Sequence, residues 1–432
     1  EKSLFARVTV GWQVQNPVLP YSWGMYIADP EVHDFGGQLY VYGSLDASNV
    51  FCSPHYMSLT TSDLKRWESK GYSYSSFDEG CPYPKRILWD PDGSYYNGKY
   101  LLYGFFEWDS SGKDNNTFVL ESDSPTGRFK NFRWIVGDRS GERIDGISAQ
   151  IFVDGDGQRY ISYAPTKQPV EQNYPVVAKL IADDTIDESS VKNLGPYVKD
   201  FYEAPSLRKR GDTYYLVYAE NCGAITDKNH VPTRLSYATS KEIFGEYTYR
   251  GVIITLEGLS GNGNIQGSIE PFNGEWYVFY HRGHSWNRRA MCIEKLEFDS
   301  DGLIKPVVPT SSGVAEGFDT SKPINFNTAV IEKNCSFGKD GKYGCVTVKD
   351  KTAEIGFRYV KFTGKEKSIS FQGKGLENIE SVKILVDGKV TGEGNVLHNV
   401  PKGKAELTVV ITAKGEVRLE TLSFEHSLKI IK

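Results

Sequence analysis

Three acidic residues recur at one offset in this 432-residue chain, and their spacing points to chemistry before anything else in it does. Asp29 stands in Tyr26-Ile27-Ala28-Asp29-Pro30, Asp90 in Trp89-Asp90-Pro91-Asp92, and Glu203 in Glu203-Ala204-Pro205-Ser206-Leu207. Ser148 and Gln266 hold the same place in Ser148-Ala149-Gln150-Ile151-Phe152 and Gln266-Gly267-Ser268-Ile269. Each of the five is followed seven residues later by a turn, at 36, 97, 155, 210 and 273. An Asp before a Pro is, taken alone, an ordinary turn residue. Three acids in one register ask for another account. Cleaving a glycosidic bond needs one ionised carboxylate to activate water and one protonated carboxyl to deliver a proton to the leaving oxygen. Crowded acids raise one another's pKa, which divides those two roles.

The elements that must position these residues are strands. Each acid or its equivalent leads into an apolar strand, a Gly-containing turn and a second strand, such as Lys99-Tyr100-Leu101-Leu102-Tyr103 after Asn97-Gly98. The units recur at intervals of 55 to 63 residues. Repetition at that period predicts an all-β chain whose main part, residues 1–310, is a five-bladed β-propeller. The first strand of a blade lies nearest the axis, so the five residues are expected to ring one end of the central channel. Carboxyls on non-adjacent blades would then face each other across it, and an inverting glycosidase holds its pair roughly 6.5–9.5 Å apart. Asn16-Pro17-Val18-Leu19-Pro20 reads as an extended lead-in that carries the chain to the axis. Near residue 310 the composition shifts, through Thr310-Ser311-Ser312-Gly313. Residues 318–432 contain no Trp and alternate strands with turns at Asp387-Gly388 and Lys402-Gly403, which predicts a second domain, a β-sandwich.

Composition narrows the partners. A net charge of -5 and the lack of a long basic run exclude nucleic acid and an anionic membrane surface as natural partners. No apolar run approaches the roughly 18 residues needed to span a bilayer, so membrane insertion is not expected. Aromatic residues make up 13% of the chain, which suits both β-structure and sugar contacts. Trp89 and Trp23 are candidate sugar platforms, and Arg288 and Arg289 candidate partners for a sugar hydroxyl or a carboxylate. His33, His55 and His281 read as hydrogen-bonded core or rim residues. Six cysteines show no zinc spacing; Cys335/Cys345 and Cys52/Cys81 are each either a disulfide or two thiols. Glu1 is not an initiator methionine, which suggests a removed signal and a secreted or periplasmic protein.

Taken together, these segments resemble glycoside hydrolase family 43. The matching pieces are Ala28-Asp29-Pro30, Trp89-Asp90-Pro91-Asp92, Ile147-Ser148-Ala149-Gln150-Ile151-Phe152, Glu203-Ala204-Pro205-Ser206-Leu207, Tyr237-Ala238-Thr239-Ser240 and Gly267-Ser268-Ile269 before Trp276-Tyr277. The resemblance covers about residues 15–300. It implies a five-bladed propeller, inverting and metal-independent hydrolysis, Asp29 as general base and Glu203 as general acid. The C-terminal part is similar to a family 6 carbohydrate-binding module, through residues 350–362 and 417–424. Two departures stand out. The family's third acid, which orients the general acid, falls at Ser148. Its axial histidine, often associated with a calcium ion or a water cluster, falls at Gln266. Asp90 occupies a ring position that is apolar in the family, so the third carboxylate is expected to have moved from blade 3 to blade 2; Asp145 is the rival candidate.

The expected protein is therefore an exo-acting inverting glycosidase with a carbohydrate substrate. It removes a terminal arabinofuranose, xylose or galactofuranose, with Asp29, Glu203 and Asp90 as catalytic residues. Trp89, Ser148, Gln266, Arg288 and Arg289 are its candidate substrate contacts. No cofactor is required, although a structural calcium is allowed for. The alternative is a sugar-binding propeller whose catalysis was impaired by the change to Ser148.

Overall fold

The structure is a computed structural model that describes residues 13–19, 25–47, 52–106, 116–165, 173–223, 232–259, 264–283, 288–337 and 345–426. Five sheets, antiparallel except for one short parallel pair at the edge of the third, follow one another along the first of its two parts. Blade 1 comprises Met25–Asp34, Leu39–Ala47, His55–Thr61 and Glu68–Ser75. Blade 2 comprises Leu88–Tyr96, Lys99–Phe106, Thr117–Ser122 and Lys130–Trp134. Blade 3 is built on Ile147–Val153, Arg159–Ala164 and Val176–Ala182, with short strands at its edge. Blade 4 comprises Phe201–Arg210, Thr213–Asn221, Thr233–Ser240 and Thr248–Ile254. Blade 5 has Gly267–Phe272, Glu275–Gly283 and Arg289–Leu296.

Turn chemistry sets the hairpins. Asn97 and Gly98 have φ of 48° and 81°, and Asn273 and Gly274 have 50° and 80°. Two successive left-handed residues match the right-handed twist of the flanking strands, and Asn-Gly is the pair that adopts them most readily. The blades then bury their faces against one another. Tyr42, Tyr56 and Tyr74 of blade 1 pack on Phe106, Phe118 and Leu120 of blade 2. Gly93 makes room there, since a Cβ on it would lie inside the Tyr42 ring. Ile27, Val41 and Met57 of blade 1 pack on Phe279, Met291 and Ile293 of blade 5, which closes the circle.

The lead-in does something other than run straight to the axis. Val18 N–H donates to Met291 O at 2.9 Å, and Asn16 Nδ2 donates to Ile293 O at 3.0 Å, so residues 16–18 seal the outer strand of blade 5. Asn16 also reaches Glu294 Oε1 at 2.9 Å. The Asn16 side chain, which bonds the strand Arg289–Leu296 and also reaches Thr310 O at 3.2 Å, rather than extended geometry alone, decides the path.

The C-terminal part is a single curled sheet of twelve strands rather than two separate sheets. The short strands Lys389–Glu393 and Val396–Leu397 bridge its two halves by hydrogen bonds. Its long strands alternate as a one-face-buried sheet should; in Lys402–Ala413 the buried residues include Leu407, Val409 and Ile411. Arg282 of blade 5 is buried against this sheet, donating to Ala329 O at 2.7 Å and pairing with Glu332. All six cysteines are thiols, so neither candidate disulfide forms.

Candidate active site

Asp29, Asp90 and Ser148 occupy equivalent places in three blades. Each has a left-handed backbone, with φ of 51°, 43° and 51°, and each sits where the first strand slips register against the second. A non-glycine residue in that region costs energy, and such strain collects where a side chain must be aimed. In blade 4 the first strand runs through Arg210 and the turn is Gly211-Asp212, so the left-handed residue is Ala204, at φ 58°, and Glu203 stands one residue before the place equivalent to Asp29. Gln266 immediately precedes a first strand that pairs without a break.

Asp29 is buried between one positive partner, Arg289, and a histidine. Arg289 Nη1 donates to its Oδ1 at 2.8 Å. The backbone N–H of Asp29 donates to His281 Nδ1 at 3.0 Å, and His281 Nε2 in turn bonds Asn264 O at 2.6 Å. That pattern places the imidazole proton on Nε2. Burial pushes the Asp29 carboxyl up, but the Arg289 guanidinium, assisted by a hydrogen bond from Ser44, overcomes this and holds it well below the usual carboxylate range. Arg289 is itself fixed by Asp46, with its Nε and Nη2 each 3.0 Å from a carboxylate oxygen, and by Cys52 Sγ at 2.9 Å.

Asp90 lies beside it in the opposite state. Ser148 Oγ donates to Asp90 Oδ2 at 2.5 Å, and the Asp90 N–H donates to Ser44 Oγ at 2.9 Å. Burial, then the charges of Asp29 and Glu203, push its pKa well above the ordinary value. Glu203 Oε1 accepts from Gln266 Nε2 at 2.6 Å and from Asn264 Nδ2. Burial raises its pKa to about 7 against the pull of those two amides, with the Asp29 charge adding to the rise. One small site thus holds an ionised carboxylate, a carboxyl that is half protonated near neutrality and a third that keeps its proton.

The remaining expected residues fall out as follows. Ser148 is fully buried on Asp90, and Gln266 is buried on Glu203. Arg289 directs its donors at carboxylates. Trp89 and Arg288 are half-buried; the Trp89 carbonyl accepts from Tyr56 Oη at 2.6 Å, and its ring packs edge-on to Phe105. Asp145 is exposed and pairs with Asn116 in an isolated bridge. Trp23 lies outside the described residues. His281 is the buried, hydrogen-bonded core residue expected of it, while Asn264, Asp46 and Ser44 were missed. The signal for the last two was present: in the strand Leu39–Ala47, Ser44 and Asp46 place two polar groups on one face at a spacing of two.

Comparison with known proteins identifies the family. The family model for glycosyl hydrolases family 43 matches residues 14–304. A xylosidase/arabinosidase of Thermoclostridium stercorarium is 30% identical, over 89% of this chain and 90% of the relative. A β-D-galactofuranosidase of Aspergillus niger is 25% identical, over 73% of this chain and 91% of its own. Among solved structures, a family 43 β-xylosidase/α-arabinofuranosidase from a compost metagenome, in complex with xylotriose, aligns with a TM-score of 0.54 at 26% identity, over 70% of this chain and 99% of that one. An arabinoxylan arabinofuranohydrolase from Bacillus subtilis shares the fold over both parts, with a TM-score of 0.53 at 20% identity and coverage of 95% and 97%.

Proposed function

The chain belongs to glycoside hydrolase family 43 and is a glycosidase, and on that premise we propose an exo-acting, inverting enzyme with Asp29 as general base and Glu203 as general acid. The observation that carries this is the split in protonation between two carboxyls of one ring, Asp29 ionised under Arg289 and Glu203 titrating at about 7. In a single displacement, Glu203 gives its proton to the leaving oxygen as the C1–O bond breaks. Asp29 takes a proton from the water that forms the new C1–O bond on the opposite face. The products are a free sugar of inverted configuration and the shortened glycan.

Asp90 supplies the third carboxyl. Its proton makes it a hydrogen-bond donor toward Asp29 or a sugar hydroxyl, and Ser148, at the position of the family's third acid, holds it in place. The exo reading is supported from below. Arg208 bonds Glu31 and His33 bonds Asp92 further along the same first strands, and this polar layer gives the sugar site a floor. The names of the relatives point to xylose, arabinofuranose or galactofuranose as the terminal sugar. The test is a panel of aryl β-D-xylopyranosides, α-L-arabinofuranosides and β-D-galactofuranosides. At least one is expected to release its sugar, and Asp29→Asn and Glu203→Gln to abolish the release. Binding of the free sugars without turnover of any glycoside would refute hydrolysis.

A further inference from the structure

Glu31, His33 and Asp92 place a carboxylate oxygen, a ring nitrogen and a second carboxylate oxygen within 4.8 Å of one another. All three are on first strands, below the catalytic ring. Two carboxylates and an imidazole at that spacing are a donor set for a divalent cation, which would take six to eight oxygens if it were calcium. The donors are already committed. Asp92 Oδ1 accepts from His33 Nε2 at 2.6 Å, and Asp92 Oδ2 accepts from the Ile151 N–H at 2.6 Å. Glu31 Oε2 accepts from Arg208 Nη2 at 3.1 Å and from Ser206 Oγ at 3.3 Å. Glu31 Oε1 is the one carboxylate oxygen of the trio with no hydrogen-bond partner among the described residues. One oxygen does not make a calcium shell.

A cation is nevertheless present. Arg208 is buried here and spends its guanidinium on five hydrogen bonds within 3.2 Å. Nε reaches Glu270 Oε2 at 2.6 Å, Nη1 reaches Leu207 O at 2.8 Å and Ser206 Oγ at 3.2 Å, and Nη2 reaches Val32 O at 2.8 Å as well as Glu31. Glu270 Oε1 continues the chain by accepting the Asp34 N–H at 3.0 Å. The guanidinium of one blade-4 residue thus ties blade 4 to blades 1 and 5, and His33–Asp92 extends the tie to blade 2. A divalent ion at Glu31 would sit against this fixed positive charge.

We infer that Arg208 is the built-in cation of the propeller axis, doing the work that a bound calcium would do there, so that these residues do not form a calcium site. This is independent of which carboxyl acts as acid or base. The test uses the full chain, dialysed against EDTA and then measured with EDTA or with millimolar calcium chloride at matched ionic strength. The thermal midpoint is expected to agree between the two within about 1 °C, a difference well below that of a disrupted buried pair, and elemental analysis of the dialysed protein is expected to find no stoichiometric calcium. A midpoint raised several degrees by calcium, or one calcium retained per chain, would overturn the inference. In the same assay Arg208→Met, which leaves Glu31 and Glu270 without their counter-charge, is expected to lower the midpoint by roughly 5–10 °C or to prevent folding. Arg208→Lys, which keeps the charge with fewer donors, is expected to fold with a higher midpoint than Arg208→Met. A Met variant as stable as the parent, or a Lys variant no better than Met, would show that the charge is not what holds the axis.

Discussion

Replacing Gln266 with Leu should shift the alkaline limb of the pH–rate profile upward, not downward. Gln266 Nε2 donates to Glu203 Oε1 at 2.6 Å, a bond that stabilises the carboxylate and so opposes the rise of Glu203 to about 7 caused by burial. Removing that donor disfavours the ionised form, so the proton is held to higher pH. A hydrogen bond to a charged group is worth about 1.5–3 kcal/mol. Glu203 is half-buried and keeps Asn264 as a second donor, so the lower end applies. At about 1.36 kcal/mol per pKa unit, the limb should move by roughly one unit, from near 7 toward 8. The assay is kcat/KM against pH on an aryl glycoside with a poor leaving group, where proton donation matters and the free enzyme's groups are reported. The acid limb should stay in place, because Asp29 keeps Arg289 and His281. An alkaline limb that stays put or falls would mean that Glu203 is not the proton donor or that Gln266 does not set its state.

Three further outcomes bear on neighbouring groups. Asp90→Asn should lower kcat/KM by about 10²–10³-fold, the scale on which a positioned polar group acts on the transition state, whereas exposed Asp145→Asn should leave it unchanged; steady-state kinetics on one aryl glycoside decides between them. Arg289→Gln removes the charge that holds the Asp29 carboxyl down, so the acid limb of the same profile should move to higher pH, and a limb that does not move would disconnect Asp29 from the base. Glu294, buried among Asn16, Tyr280 and Thr310, is raised to about 8 by burial. A raised carboxyl contributes its stability fully below the ordinary value of 4.5, and that contribution is lost as pH rises through about 8. Glu294→Gln should therefore flatten the fall in thermal midpoint between pH 5 and about 8.5, as read by scanning calorimetry, relative to the parent.

The repeat was legible because its chemistry is local. Asn97-Gly98 and Asn273-Gly274 each dictate a hairpin within two residues, and counting back from the turn finds Asp29, Asp90 and Ser148 at one true structural position. The same counting places Glu203 on the strained residue of blade 4, where Ala204 stands instead, because the strand runs on through Arg210 and the turn falls one residue later, at Gly211-Asp212. Asn264 was hidden for another reason. It acts through a contact with Glu203, 61 positions away, and sits in no motif. Arg208 and Glu31 looked like ordinary members of alternating strands, since only the closed ring brings them together. The C-terminal alternation gave strands and turns correctly but could not show that short bridging strands merge two layers into one curled sheet.

The stereochemistry of the first product tests the central claim most directly. Proton NMR during rapid hydrolysis of the best aryl glycoside, before mutarotation, should show the sugar appearing with its anomeric configuration inverted, and Asp29→Asn should give none of it. A first product of retained configuration would mean that a carboxyl attacks the sugar itself, and the pairing of Asp29 with water and Glu203 with the leaving oxygen would be wrong.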